Sequence, residues 1–180
     1  MNTTHFGFQR VQTNQKAPLV KAVFDSVASR YDIMNDVMSV GMHRLWKRRM
    51  VQLLKLSPNQ HVLDLAGGTA DIAALAEKDC PSANITISDI NEAMLKEGKN
   101  RARDTNTLTE ANWVAADAQC LPFGDACFDR VSIAFGIRNV TDIAAALNEI
   151  HRVLKPEGRL VCLEFSHPAL PWLSRAYDMY

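Results

Sequence analysis

Three carboxylates and a pair of glycines offer the first chemistry in this sequence. Asp64 lies near the end of the apolar run "HVLDLA", and Gly67, Gly68, Thr69, Ala70 and Asp71 follow it. Glycine at such a place lets a ligand approach the backbone, because no Cβ stands in the way. Asp89 closes a second run, "NITISDI", and a carboxylate there can accept hydrogen bonds from both hydroxyls of a ribose. Asp117 and Ala118 sit in "AADAQCLPF", after a third run. There Asp117 can accept from the amino group of an adenine, with Leu121 and Phe123 as apolar walls; the other reading of Asp117 is a turn residue that caps local backbone N–H groups.

Two cofactor classes share this arrangement. A dinucleotide site requires Gly-x-Gly-x-x-Gly with the pyrophosphate on a helix N-terminus. The run Ala66-Gly67-Gly68-Thr69-Ala70-Asp71 does not have that spacing, and Asp71 stands where the pyrophosphate charge would be. S-adenosyl-L-methionine carries a positive sulfonium and no phosphate, so Asp64 and Asp71 are compatible with it. The chemistry of the loop leans that way.

Such a loop must be held by a sheet. From "HVLDLA" onward the pattern alternates: strand, helix "DIAALAEKD", strand "NITISDI", helix "EAMLKEGKNRARD", strands "ANWVAADA" and "FDRVSIAFG", helix "DIAAALNEIHRVL" with Ile143, Leu147, Ile150 and Leu154 in register, a "KPEG" turn and a fifth strand "RLVCLEF". Alternation of this kind predicts βαβ units, and so a doubly wound α/β domain with a mostly parallel sheet. Upstream, residues 1–17 are polar and aperiodic and read as a loose arm. Residues 18–57 read as a helical cap, with one helix carrying Val20, Val23, Phe24, Val27 and Tyr31, and a second, "HRLWKRRMVQLLKL", with Trp46, Met50, Leu53 and Leu54 on one face. The α/β core spans 58–180.

Composition narrows the field. The chain has 180 residues and a formal net charge of zero, so no global field attracts nucleic acid. No run is long enough to cross a bilayer and none resembles a signal or transit peptide. The expectation is a bacterial cytoplasmic protein. Cys80, Cys120, Cys127 and Cys162 lack the spacing of a metal site. They read as reduced thiols that mostly pack as small apolar groups, and no metal is expected.

The segments "YDIMNDVMSVGMHRLWK", "VLDLAGGTADIA", "AFGIRNVTD" and "HRVLKPEGRLVCLEFS" resemble the UbiE-type C-methyltransferases of ubiquinone and menaquinone biosynthesis, over nearly the whole chain after Pro18. The resemblance implies a class I, Rossmann-like methyltransferase fold and use of S-adenosyl-L-methionine. It also implies methylation of a ring carbon of a polyprenylated benzoquinol or of demethylmenaquinol. Cofactor contacts carry over onto Thr69, Asp89 and the pair Asp117–Ala118. The chain departs from the family at Ala70, where many members have Gly, and at Ala134, where many bacterial members have a cofactor-contacting Ser. Family members also usually continue for several tens of residues past the equivalent of Tyr180. A truncated product, with the closing strands missing after the fifth, is therefore expected.

Methylation of a quinol carbon needs a deprotonated ring hydroxyl, an in-line approach to the methyl and exclusion of water. Arg138 and Asn139, after the fourth strand, are candidates to stabilise the phenolate and orient the ring. The competing reading pairs Arg138 with Asp142 or Glu164 at the sheet edge. Tyr31 and Asp32 are candidates in the cap, as contact and base, against core and helix-end roles. His43 is a weaker one. Met34, Met38 and Met42 read as helix core or as an adaptable lining for a prenyl tail. Arg44, Lys47, Arg48 and Arg49 read as a solvated face, or as a peripheral contact with an anionic inner-membrane surface. A homodimer or a quinone-biosynthesis complex is compatible with the resemblance. The rival readings are an NAD-dependent oxidoreductase and a non-catalytic paralogue that binds the same cofactor.

Overall fold

A computed structural model of the protein describes residues 3–6, 9–12, 15, 16, 18, 19 and 42–165. The central strands β3 (His61–Leu65), β4 (Asn84–Asp89) and β6 (Phe128–Ala134) bury most of their residues, while β5 (Asn112–Ala115) and β7 (Leu154–Leu163) are more open. Strands buried on both faces suit a parallel sheet. The five pair in the order β5-β4-β3-β6-β7, every ladder parallel. The chain winds from β3 outward through β4 to β5, then returns to β6 and winds the other way. The order reverses between β3 and β6, which is where ligands bind in open α/β sheets.

Helices α2 (Asp71–Asp79) and α3 (Glu92–Asp104) lie on one face with α1 (Met42–Leu54); α4 (Ile143–Val153) lies on the other. Strand alternation divides β3 between the two cores. Val62 joins Met50, Val51, Ile72, Ala73 and Ile87 beneath α1–α3. Leu63 and Leu65 join Val131, Ile133, Ala146 and Ile150 beneath α4. The Val, Leu, Ile and Met side chains among these contribute about 1.5–3 kcal/mol each when fully buried. Asp64 shares the Val62 face, so the alternation that builds the core also carries a carboxylate into it.

The helix starts follow local chemistry. Asn91 caps α3 by accepting from Ala93 N and Met94 N, and Asp142 caps α4 by accepting from Ala145 N. α2 has no side-chain cap: its N-cap, Ala70, takes the left-handed conformation at φ 67°, ψ 28°.

The structure differs from the sequence reading at several points. Thr3–Phe6 (β1) and Gln9–Gln12 (β2) pair as an antiparallel hairpin where no element is expected from the sequence. Backbone pairing across a two-residue connection needs no apolar periodicity, so the pattern gave no sign of it. In α1 the buried face is His43, Lys47, Met50, Val51 and Leu54, while Leu53 is exposed; this stripe puts α1 against β6, β7 and α2, within the α/β core. In α4 the buried stripe is Ala146, Ile150 and Val153, and Ile143 and Leu147 stand exposed beside it.

The "KPEG" turn lies inside β7. Phe128 pairs with Leu154 and Arg130 with Arg159, so the intervening residues bulge out with Glu157 at φ 65°. Cys80 alone among the cysteines is buried; Cys120 and Cys162 are exposed. Residues 20–41 and 166–180 lie outside the described residues, and with them Tyr31, Asp32, Met34 and Met38. No described helix is long and apolar enough to cross a membrane.

Candidate active site

The carboxyl ends of β3, β4 and β6 open onto a cavity of about 410 Å³. Asp64, Gly67, Gly68, Thr69, Asp89, Asp117, Ala118 and Asn139 all line it. The structure therefore brings together every expected cofactor residue with one of the four catalytic candidates.

Left-handed turns shape the loop after β3. Ala66 (φ 54°), Gly68 (φ 52°) and Ala70 (φ 67°) all adopt the region that disfavours a Cβ. At Gly67 the constraint is space: a Cβ would come within 2.7 Å of Ile87 Cγ2 and 2.9 Å of Asp64 Oδ2. Gly67 N donates to Ser88 O at 3.0 Å, which ties the loop to β4. From α3, Gly98 supports it; a Cβ there would meet Trp113 Cζ3 at 2.8 Å and Gly68 O at 3.1 Å.

Asp89 is fixed by backbone. Gly68 N donates to its Oδ2 at 2.9 Å and Asn91 N to its Oδ1 at 2.8 Å. Burial nevertheless holds its carboxyl above the ordinary range, outweighing those bonds. Asp64 is deeper, 1% exposed. Ser132 Oγ donates to its Oδ1 at 2.8 Å, while Oδ2 has no hydrogen-bond partner among the described residues. Burial pushes its pKa up to about 7, against the pull of the Ser132 and Ala73 hydrogen bonds.

Asp71 begins α2, but its charge is already engaged. Lys47 Nζ donates to Oδ2 at 2.7 Å and Arg101 Nη1 to Oδ1 at 3.1 Å. Asp71, read from the sequence as compatible with a nearby sulfonium, is held between two cations, from α1 and α3. Lys47, read from the sequence as part of a solvated basic face, is buried because Asp71 receives its ammonium. Its cost of burial is met by that pair.

Asp117 accepts from Gln119 N at 2.9 Å and from the Gln119 amide, so it makes the local turn contacts of the competing reading while still lining the cavity. Leu121 and Phe123 do not line it. They pack in the core beneath α4, where Phe123 meets Phe128 edge-on at 5.0 Å between ring centroids.

Arg138 and Asn139 form a single 3₁₀ turn after β6, Ile137–Asn139. Asn139 faces the cavity. Arg138 lies outside its lining, pairs with Glu164, and rests 5.2 Å from the Phe165 ring centroid. The ion-pair reading is thus the one its geometry shows. Lys16 Nζ donates to Arg138 O at 3.1 Å and Val140 O at 2.9 Å, fixing this turn from the N-terminal side; burial lowers its pKa. Nothing in the local sequence marks Lys16, because the contact spans most of the chain. His43 is buried on α1, facing a second groove and not this cavity. Among the described residues no cluster of His, Cys, Asp and Glu has the geometry to hold a metal.

The sheet order and the loop-lined cavity define a class I methyltransferase fold. A methyltransferase from Aquifex aeolicus described as SAM-dependent superimposes with a TM-score of 0.62 at 17% identity, over 69% of this chain and 66% of its own. The cyclase SpnF also does, at 0.60 and 26% identity, over 65% of this chain and 44% of its own, so the fold alone does not decide the reaction. The sequence does: the ubiE/COQ5 methyltransferase family model matches residues 9–180, and the chain belongs to that family. It is 51% identical over 179 residues to the ubiquinone/menaquinone biosynthesis C-methyltransferase UbiE of Cereibacter sphaeroides, covering 99% of this chain and 72% of that one. To the protein of the same name from Escherichia coli it is 50% identical, with 99% and 71% covered.

Proposed function

We propose that this protein is an S-adenosyl-L-methionine-dependent C-methyltransferase that acts on the ring of a polyprenylated benzoquinol or demethylmenaquinol. The observation that carries the cofactor assignment is Asp64, whose Oδ2 has no hydrogen-bond partner among the described residues and which lines the cavity beneath the loop. An unpaired buried carboxylate oxygen is costly, and a cationic ligand with N–H donors supplies what it lacks. The run Ala66-Gly67-Gly68-Thr69-Ala70-Asp71 at the start of α2 lacks the Gly-x-Gly-x-x-Gly spacing that a pyrophosphate requires. Family membership and the names of the relatives support the quinol as substrate.

When bound, S-adenosyl-L-methionine supplies an electrophilic methyl group on a sulfonium. Asp89, already aligned by Gly68 and Asn91, receives the ribose hydroxyls. Gly67 and Gly68 give the ligand close access to backbone, and Thr69, Asp117 and Ala118 complete the walls. Asn139, at the β6 side of the cavity, orients the quinol ring. Arg138, paired with Glu164 outside the cavity lining, braces the turn that presents Asn139. Tyr31 and Asp32 belong to this proposal from outside the described residues. In this reading the ring hydroxyl gives its proton to a base, for which Asp32 is the candidate, and the ring proton passes to water after the carbon–methyl bond forms, restoring aromaticity. In this reading the exposed basic residues of α1 contact the membrane that holds the prenyl tail.

The test is transfer of a deuterated methyl group to chemically reduced prenylated substrate, followed by mass spectrometry. A labelled ring product is expected only with the reduced quinol; no product with either ring class would overturn the assignment.

A further inference from the structure

The carbonyls on either side of Asn139, those of Arg138 and Val140, are held by one side chain from the N-terminal segment. Lys16 Nζ donates to Arg138 O at 3.1 Å and to Val140 O at 2.9 Å, and Lys16 is 5% exposed. The turn's own bonds use other carbonyls: Asn139 N donates to Gly136 O at 3.0 Å and Val140 N to Ile137 O at 3.2 Å. The carbonyls at the end of a helical turn need donors from elsewhere, and Lys16 supplies them.

The consequence is geometric. Arg138 O fixes the peptide plane that enters Asn139, and Val140 O fixes the plane one residue beyond it. The Asn139 side chain leaves the backbone between the two. Asp142 N, donating to Gln119 Oε1 at 2.9 Å, ties the far end of the same stretch. Gly136, Asn139, Val140 and Thr141 line the cavity, and so does Pro18, just after Lys16. The N-terminal segment thus reaches the cavity wall while its lysine braces the turn.

We propose that Lys16 is a positioning residue for Asn139: by holding the carbonyls that flank it, Lys16 sets the direction in which the Asn139 amide meets the substrate. Its role in the reaction rests on the quinol reading above, in which Asn139 orients the ring. The cofactor side has bonds of its own, from Gly68 N to Asp89 and from Gly67 N to Ser88 O. Lys16 therefore acts on the ring and leaves cofactor binding alone.

Hydrogen exchange of the full chain is the first test, because it needs neither cofactor nor substrate. In Lys16→Met the Asn139 and Val140 amides exchange about 10-fold faster, the size of one hydrogen bond from a charged donor. Ile150 and Val153 in α4 keep their wild-type rates, and Lys16→Arg, which keeps charged N–H donors, restores most of the protection at the turn. A uniform rise across the chain, or no change at the turn, would overturn the proposal. If Lys16→Met does not fold, Lys16→Gln, with a shorter and neutral donor, is read in the same way.

Steady-state methyl transfer to the reduced quinol then separates position from stability. Lys16→Met lowers kcat by about 10-fold, while the affinity for S-adenosylhomocysteine, read by calorimetry, stays at the wild-type value. Combined with Asn139→Ala it costs nothing further, because both changes act through one amide. A fully multiplicative loss, or an equal loss of S-adenosylhomocysteine affinity, would make Lys16 a general support of the cavity and overturn the proposal. If the wild type transfers no methyl group to the quinol, the proposed function fails, while the exchange rates still decide whether Lys16 sets this turn.

Discussion

Ser132 Oγ donates to Asp64 Oδ1 at 2.8 Å between two adjacent parallel strands, and among the described residues this bond is the only side-chain hydrogen bond to a carboxylate buried at the floor of the cavity. Ser132 is itself 0% exposed. Ser132→Ala removes the donor and leaves Oδ1 short of a partner in the interior. A loss of about 1–3 kcal/mol is expected, read as a lower urea midpoint at unchanged m-value.

The pH dependence of Asp64 has a defined sign. Its folded pKa is raised to about 7 from 3.8, so the folded state holds a proton that the unfolded chain releases. Stability without ligand is therefore greatest below the unfolded value and falls as pH rises through the folded one, with a slope approaching about 1.4 kcal/mol per pH unit within that window. Asp64→Asn removes the slope. Urea denaturation at pH 5 and pH 8 should show the variant gaining on the wild type at the higher pH, while its affinity for S-adenosylhomocysteine falls.

Ala70 combines left-handed strain with a buried methyl, at φ 67° and 2% exposure. Glycine would relieve about 1–2 kcal/mol of strain and forfeit roughly 0.8 kcal/mol of burial, with further loss in chain entropy. Ala70→Gly should therefore change stability by less than about 1 kcal/mol, so this departure from the family is tolerated. Ala70→Val, β-branched in the same conformation, should cost more than about 2 kcal/mol. Thermal melts of the two variants test both statements.

Gly98 is in a helix interior, where alanine is intrinsically better by about 1 kcal/mol. Here the added methyl would meet Trp113 and the Gly68 carbonyl at 2.8 and 3.1 Å. Overpacking of about 1–3 kcal/mol should win. Gly98→Ala is expected to lower the melting temperature and to weaken S-adenosylhomocysteine binding, because the pressure falls on the cofactor loop. An unchanged affinity would show that α3 does not support the loop.

Glu149 and Arg152 anchor the segment before β6. Arg152 donates to Leu121 O, Phe123 O, Asp125 and Glu149. The Arg152 hydrogen bond, with one from Leu121 N, holds the Glu149 pKa down to about 2. A depressed acid stabilises the fold above its unfolded pKa, and that contribution is lost as pH falls through the folded one. Arg152→Met should make acid unfolding begin at higher pH, monitored by circular dichroism.

Much of this site was legible in the sequence because its residues sit at strand ends. Asp64, Asp89 and Asp117 each follow an apolar run, and parallel strands bring such ends to one edge. Asp71 was placed correctly and its surroundings were not: its partners Lys47 and Arg101 come from helices whose packing no local pattern specifies. The same limit hid Lys16 and the burial of Lys47, since a lysine on a helix reads as solvated until a distant carboxylate is brought to it. Leu53 and Ile143 went the other way, apolar residues at the margin of a stripe whose centre depends on how the helix is rotated against the sheet. Hairpin β1–β2 pairs by backbone and carries no apolar periodicity that would announce it.

A thermal melt with S-adenosylhomocysteine, with NADH as control, tests the cofactor cavity most directly. At about 100 times its dissociation constant the ligand should stabilise the chain by about 2.7 kcal/mol, NADH should do nothing, and Asp89→Ala should abolish the shift while retaining a cooperative transition. A cooperative melt unmoved by S-adenosylhomocysteine, or moved equally by NADH, would contradict the assignment of this cavity.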